Sequence, residues 1–179
     1  HLDRVSRSFA FCIRQLNSPL REWVALSYLL CRVVDTIEDA PWTELTTQMH
    51  HFARFDRALQ DPAQLDLVEN WIDGFPAVST HERELLIDAP RLMRDLHTLP
   101  TPVFDNIRNL VHSMSQGMQH FCQTRGSGGP LYLRSLHEVN QYCFFVAGIV
   151  GELLANLVAK VEPRFMLNQV NLVRAHHFG

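Results

Sequence analysis

No broad excess of positive charge runs along this chain: 16 lysines and arginines stand against 19 aspartates and glutamates, a formal net charge of -3. That balance offers no electrostatic footprint for nucleic acid, which is not expected as a partner. Cysteine is scarce and scattered. Cys12, Cys31, Cys122 and Cys143 each sit inside an apolar segment, without the close pairing of metal sites or redox motifs, so buried free thiols in a reducing compartment are expected. The ten histidines include the adjacent pairs His50-His51 and His176-His177, but neither has the spacing and intervening glutamate of a helical zinc site. Surface or packing roles follow for them. The opening residues lack a charged segment leading into an apolar core, so no signal peptide is read. The longest apolar stretch, Tyr142 to Ala159, is interrupted by Glu152 and Asn156 and is short for a bilayer crossing. A soluble, cytoplasmic protein is the expectation, with peripheral contact to a membrane left open. The run Gly126-Ser127-Gly128-Gly129-Pro130 lacks the strand before it and the Lys-Ser/Thr after it that a phosphate-cradling loop needs, and reads as a connector.

What is present is helical periodicity, almost everywhere. Hydrophobic residues make up 46% and charged residues 20%, which places the chain among ordinary globular proteins, and its length predicts one domain, 1–179. No alternating strand and no internal repeat is found. An opening helix holds Ser6, Ser8, Phe9, Phe11 and Ile13. Pro19 suits the first turn of a second helix through Trp23, Leu26, Leu29, Leu30 and Val33, stopped by Pro41. Thr43 is expected to cap a third, reaching about Leu59, with a break at Pro62. Shorter helices are expected over Leu65 to Ile72 and Thr80 to Leu99, the latter broken or kinked at Pro90. A long helix follows from Val103 to about Gln123, then helices from Ser135 to Val161 and from about Arg164 to Phe178. The fold class is all-α.

Two constellations stand out. The run Arg32-Val33-Val34-Asp35-Thr36-Ile37-Glu38-Asp39 places three carboxylates at the end of an apolar helix. Positions i, i+3 and i+4 share a face, so Asp35, Glu38 and Asp39 point the same way and repel unless a cation is shared among them. Mg²⁺, a hard ion that takes a few carboxylate oxygens and a substrate phosphate, suits that arrangement. A solvated helix end is the competing explanation. Arg32 lies beside Asp35, and Arg7 lies between two hydroxyls in Ser6-Arg7-Ser8; arginines suit bidentate phosphate contacts, although each alone also fits a surface ion pair. The second constellation is Tyr142-Cys143-Phe144-Phe145-Val146-Ala147-Gly148-Ile149-Val150-Gly151. Two glycines inside a helix each cost about 1 kcal/mol against alanine. Ala147, Gly151 and Ala155 form a small-residue stripe that either admits a neighbouring helix or leaves room for a ligand chain. Tyr142 sits at its polar end.

The blocks Ser6-Arg7-Ser8-Phe9, Tyr28-Leu29-Leu30-Cys31-Arg32-Val33-Val34-Asp35-Thr36-Ile37-Glu38-Asp39 and Tyr142 to Gly148 resemble the signature blocks of the squalene/phytoene synthase family, in the family's order. The form Asp-Thr-Ile-Glu-Asp resembles the squalene synthase branch most. The resemblance implies an all-α, isoprenoid synthase-type bundle around a central cavity. It implies Mg²⁺-dependent head-to-head coupling of two farnesyl diphosphates through presqualene diphosphate, then NADPH-dependent reduction to squalene. It assigns Mg²⁺ to Asp35, Glu38 and Asp39, and phosphate oxygens to Arg7, Arg32, Ser6 and Ser8. Tyr28 and Phe9 would line the reaction zone, Tyr142 would assist proton removal, and Val146, Val150, Gly151 and Leu154 would wall a prenyl tunnel. The family's second acidic motif is missing. Gln169-Val170-Asn171-Leu172-Val173-Arg174 faintly resembles its lead-in, but Ala175 stands where an aspartate is needed. The expectation is the N-terminal part of a longer enzyme, incomplete at its C-terminus. The alternatives are a phytoene or dehydrosqualene synthase, or a non-catalytic relative acting in assembly. Oligomeric state is left open.

Overall fold

The computed structural model describes residues 1–5, 7–125, 131–162, 164–165 and 168–178, and these contain helices and no strand. The helices are α1 (Leu2–Val5), α2 (Arg7–Arg14), α3 (Leu20–Asp39), α4 (Leu45–Gln60), α5 (Thr80–His97), α6 (Thr101–Arg125), α7 (Leu136–Cys143), α8 (Ile149–Val161) and α9 (Gln169–Phe178). Two 3₁₀ segments, Pro62–Val68 and Trp71–Gly74, link α4 to α5, and a π turn, Phe144–Gly148, joins α7 to α8. The side chains of Val5, Arg7, His176, His177 and Phe178 lie outside the described residues, as do Ser6 and the expected connector Gly126 to Pro130.

Helix α3 is the centre. It packs against α4, α5, α6 and α8, and Leu30, Val33, Val34 and Ile37 are fully buried. A helix apolar on most of its circumference belongs in a core rather than on a surface. Its start follows a cis Ser18–Pro19 bond, and Pro19 occupies the N-cap rather than the first turn. Between α4 and α6, buried Asp56 accepts at Oδ2 from Gln116 Nε2 at 2.9 Å and Gln119 Nε2 at 2.8 Å, and its Oδ1 lies 3.3 Å from His112 Nδ1.

Several expectations change. Glu44, not Thr43, is the N-cap of α4, and it makes no side-chain cap bond. The helix expected over Leu65 to Ile72 is split into the two 3₁₀ segments, with Asn70 at φ 53° between them. Pro90 does not break α5. A proline there removes the bond to the carbonyl four residues back; that carbonyl, Leu86 O, accepts instead from Trp71 Nε1 at 2.8 Å. Helix α5 starts from a capping box, Ser79 with Glu82. Helix α6 begins at Thr101, with Pro102 in the first turn, where a missing N–H is harmless. The last helix starts at Gln169 rather than Arg164. Cys31 and Cys122 are buried, but Cys12 and Cys143 are exposed, because apolar neighbours in sequence do not decide which face of a helix a residue occupies. His51 is buried against Trp42, Trp71 and Phe75, a packing role, whereas His50 is exposed.

The helical run Leu136–Val161 spans 26 residues with mean hydropathy 1.8 in its most apolar window, long and apolar enough by those measures to cross a membrane. The helical run is longer than the apolar stretch Tyr142 to Ala159 because the segment from Leu136 continues into it. A third of that window is buried.

Close packing is one of two readings of the Ala147–Gly151–Ala155 stripe; the tightest approach at a described glycine lies instead on α6. A Cβ on Gly117 of α6 would lie 2.2–2.5 Å from atoms of Phe145 in the π turn. Gly117→Ala, which in a free helix gains about 1 kcal/mol, is therefore expected to destabilise the fold by about 1–3 kcal/mol, the usual cost of overpacking. Urea unfolding checks the sign, and Phe145→Leu in the same background should restore part of the loss.

Candidate active site

From Leu30 to its end, α3 is buried except at Arg32 and Asp35, which are half-buried, and Asp39, which is exposed. With half-buried Tyr28 these form one stripe, at spacings of four, three and four. Tyr28 stacks on Phe9 of α2, ring centroids 5.3 Å apart and planes 29° from parallel. Phe9 itself is 56% exposed, and Ser8 is exposed beside it. Ser6 and the Arg7 side chain lie outside the described residues. Arg32 donates from Nη1 to Asp35 Oδ2, and its Nη2 lies 3.6 Å from Glu82 Oε1. Glu82 thus serves twice, its other oxygen accepting from the Ser79 backbone at the start of α5.

The acidic turn is anchored from below. A helix end leaves its last four carbonyls without intrahelical partners. Here Ile37 O accepts from Trp42 Nε1 at 2.7 Å and from Gln48 Nε2 at 3.0 Å, and Glu38 O accepts from the same Gln48 nitrogen at 3.0 Å. Gln48 is 2% exposed and also reaches Cys122 Sγ at 3.4 Å, so α3, α4 and α6 meet at one amide.

The three carboxylates share a helix end but not an environment. Asp35 is tied to Arg32, Asp39 is exposed, and Glu38 is turned inward at 6% exposure. Tyr142 Oη donates to Glu38 Oε1 at 3.4 Å, and Phe121 of α6 meets the Tyr142 ring edge-on at 5.1 Å. Burial, and then the charge of Asp39, push the Glu38 carboxyl up from 4.5 to about 7; the charge of Arg125 and the Tyr142 hydrogen bond act against that. Burial and the charges of Glu38 and Asp39 push the Tyr142 phenol up to about 12. Cys122, burial-raised to about 11, is an inert thiol in this setting.

Beyond Tyr142 the surface turns apolar. Val146, Val150 and Leu154 are half-buried, packed against the core at intervals of four, and Gly151 beside them is buried. The π turn at their start carries the wide bond from Ile149 N to Phe144 O. Such turns recur at functional sites.

Among the described residues, no three histidine, cysteine, aspartate or glutamate side chains converge enough to hold a metal ion. The donor set nonetheless fits a hard divalent cation. It offers only oxygen ligands, two of them accessible one turn apart, and a third carboxyl driven towards protonation by burial and by the charge of Asp39. Of the residues singled out in the sequence, the structure brings Arg32 to Asp35 and Tyr142 to Glu38, with Asp39 in the same turn. Sequence reasoning missed Gln48, Glu82, Phe121 and Arg125, which lie in helices with ordinary polar patterning and are joined to the site only by tertiary packing.

Glu38 supplies a pH test. Its folded carboxyl binds a proton more tightly than the unfolded one, so its contribution to stability is complete below pH 4.5 and is lost as pH rises through 7. Without divalent cations, roughly 3 kcal/mol should disappear across that interval. Urea unfolding at pH 4.5 and pH 8 is expected to show the loss in the wild type and not in Glu38→Gln.

Comparison with known proteins extends these observations. A family model described as squalene/phytoene synthase matches residues 2–179. The squalene synthase of Schizosaccharomyces pombe is 28% identical over 159 residues, 89% of this chain and 33% of that protein. Those of Saccharomyces cerevisiae and Candida albicans are each 30% identical, covering 88% and 98% of this chain and 34% and 41% of theirs. A solved complex of TcSQS with the ligand BPH1237 superposes with a TM-score of 0.79 at 29% identity, over 99% of this chain and 48% of that one. The chain thus spans between a third and a half of these relatives' lengths.

Proposed function

The chain belongs to the squalene/phytoene synthase family, and on that premise we propose that it forms the first-diphosphate half of a prenyl transferase that joins two farnesyl diphosphates head to head. The supporting observation is the half-open stripe Tyr28–Arg32–Asp35–Asp39 meeting the Glu38–Tyr142 contact at the polar end of an apolar wall. A charged head and a hydrocarbon tail each find a matching surface.

In this reading Asp35 and Asp39, with Glu38 behind them, would hold Mg²⁺, which would supply positive charge to a departing diphosphate. Arg32, with Arg7, Ser6 and Ser8, takes the diphosphate oxygens. For Arg32 this means exchanging part of its hold on Asp35 and Glu82 for phosphate, a bidentate partner of the same sign. Phe9 and Tyr28 present ring faces to the allylic carbons, where positive charge develops. Val146, Val150, Gly151 and Leu154 exclude water, which would otherwise capture a carbocation. Tyr142, whose phenol is held firmly in its protonated form and bonded to Glu38, is positioned to pass a proton between substrate and carboxylate as the cyclopropane closes.

NADPH enters only if squalene is the product. The described residues contain no strand and hence no strand-to-helix dinucleotide turn, and no residue of this chain is assigned to it. A cytoplasmic site of action in contact with a membrane surface completes the proposal, supported by the hydropathy of Leu136–Val161.

Incubation with farnesyl diphosphate and Mg²⁺, with and without NADPH, followed by mass analysis of extracted products, tests the reading. Squalene formed only with NADPH is the expected result; neither product nor Mg²⁺-dependent binding of a non-hydrolysable analogue would overturn it. In an active form, Asp35→Asn or Asp39→Asn should abolish turnover with little change in thermal midpoint. Tyr142→Phe should slow the first condensation while substrate affinity is kept, and near-normal turnover would remove Tyr142 from the mechanism.

A further inference from the structure

The cations around the acidic turn are not equally available. Arg32 already faces two carboxylates, Asp35 and Glu82. Arg125, at the end of α6, makes no ion pair among the described residues, although its charge is felt at Glu38. It is half-buried, its Nε is shielded from solvent with no hydrogen-bond partner, and its one recorded polar contact among the described residues is Nη2 to Cys122 Sγ at 4.0 Å. The exposed arginines without an acid, such as Arg57, Arg83 and Arg91, lie in water, and half-buried Arg54 donates to Leu67 O. Arg125 alone among the described cations joins partial burial to the lack of an oxygen partner.

Its neighbours place it at the site. Cys122 Sγ, which it touches, is 3.4 Å from Gln48 Nε2, and that nitrogen is 3.0 Å from Glu38 O. Phe121, one turn before Arg125, meets the Tyr142 ring. The charge of Arg125 also holds the Glu38 carboxyl and the Cys122 thiol below where burial would carry them. A cation in the last turn of a helix is favourable in itself, which explains its position but not the sheltering of Nε. Holding a guanidinium partly out of water with no carboxylate in ion-pair contact is unfavourable, and a diphosphate would supply the contacting anion.

We propose that Arg125 is a diphosphate-binding residue of this site, additional to Arg32 and Arg7. The inference rests on the prenyl diphosphate reading above. Arg125 approaches from α6, so the head group is gripped from that helix as well as from α3, which carries Arg32.

The test is equilibrium binding of farnesyl thiodiphosphate with Mg²⁺ to the whole chain, to Arg125→Gln and to Arg125→Lys, with thermal unfolding of each. Arg125→Gln should bind about tenfold to a hundredfold more weakly at an unchanged thermal midpoint, the scale of one charge-assisted contact. Arg125→Lys should recover part of the loss, since it keeps the charge but not the fork. Unchanged affinity in Arg125→Gln, with the wild type binding, would overturn this inference alone. A loss in both variants accompanied by a lowered thermal midpoint would also overturn it, showing a packing role. No Mg²⁺-dependent binding by the wild type would overturn it together with the reading on which it rests.

Discussion

The end of α3 must be buried and still satisfied, and the rest of the site hangs on how that is done. A helix that stops inside a core strands carbonyl oxygens away from water. Two side chains, Trp42 and Gln48, supply the missing donors, and both come from chain that follows the helix. Because Gln48 also reaches Cys122, the turn bearing Glu38 and Asp39 is held against α4 and α6 together. The acids therefore sit on a fixed platform rather than a fraying terminus, and Glu38 can face inward without the helix unwinding to expose it.

That platform sets up an imbalance of charge. Burial and the neighbouring Asp39 both disfavour ionised Glu38, and the phenol of Tyr142 hydrogen-bonds to it from the opposite wall. A proton relieves the imbalance, and the proposed Mg²⁺ would do the same. On that proposal the crowding that costs the fold stability above neutral pH is also what favours a cation, an exchange of stability for affinity. The apolar side of the site has the opposite character: Val146, Val150 and Leu154 are supported by packing and carry no polar side-chain atom.

What the sequence revealed was what is encoded locally. Apolar residues at helical spacing located nearly every helix, and the acid run marked the polar site because its members lie within one turn. The misses share a cause. Pro90 reads as a break until the indole of Trp71 is known to occupy the carbonyl it frees. The π turn at Phe144 leaves no mark in composition, since its extra residue is accommodated by Phe145 entering the space over Gly117. Gln48 reads as an ordinary polar helix residue, and only the packing of α4 beneath α3 buries it. Cys12 and Cys143 show the converse, apolar surroundings in sequence and an exposed face in space. Side chains that act on their own helix were legible, whereas those that repair another helix were not.

Two of the chain's three tryptophans sit at such repairs. Trp42 gives its indole hydrogen to the terminus of α3, and Trp71 gives its own to the proline interruption of α5, with His51 lying against both rings. Indole emission depends on that hydrogen and on nearby imidazole, which quenches more strongly once protonated. The molecule thus contains a built-in optical gauge: a disturbance of either joint alters the surroundings of an indole, and with them its intrinsic light output, with no label attached.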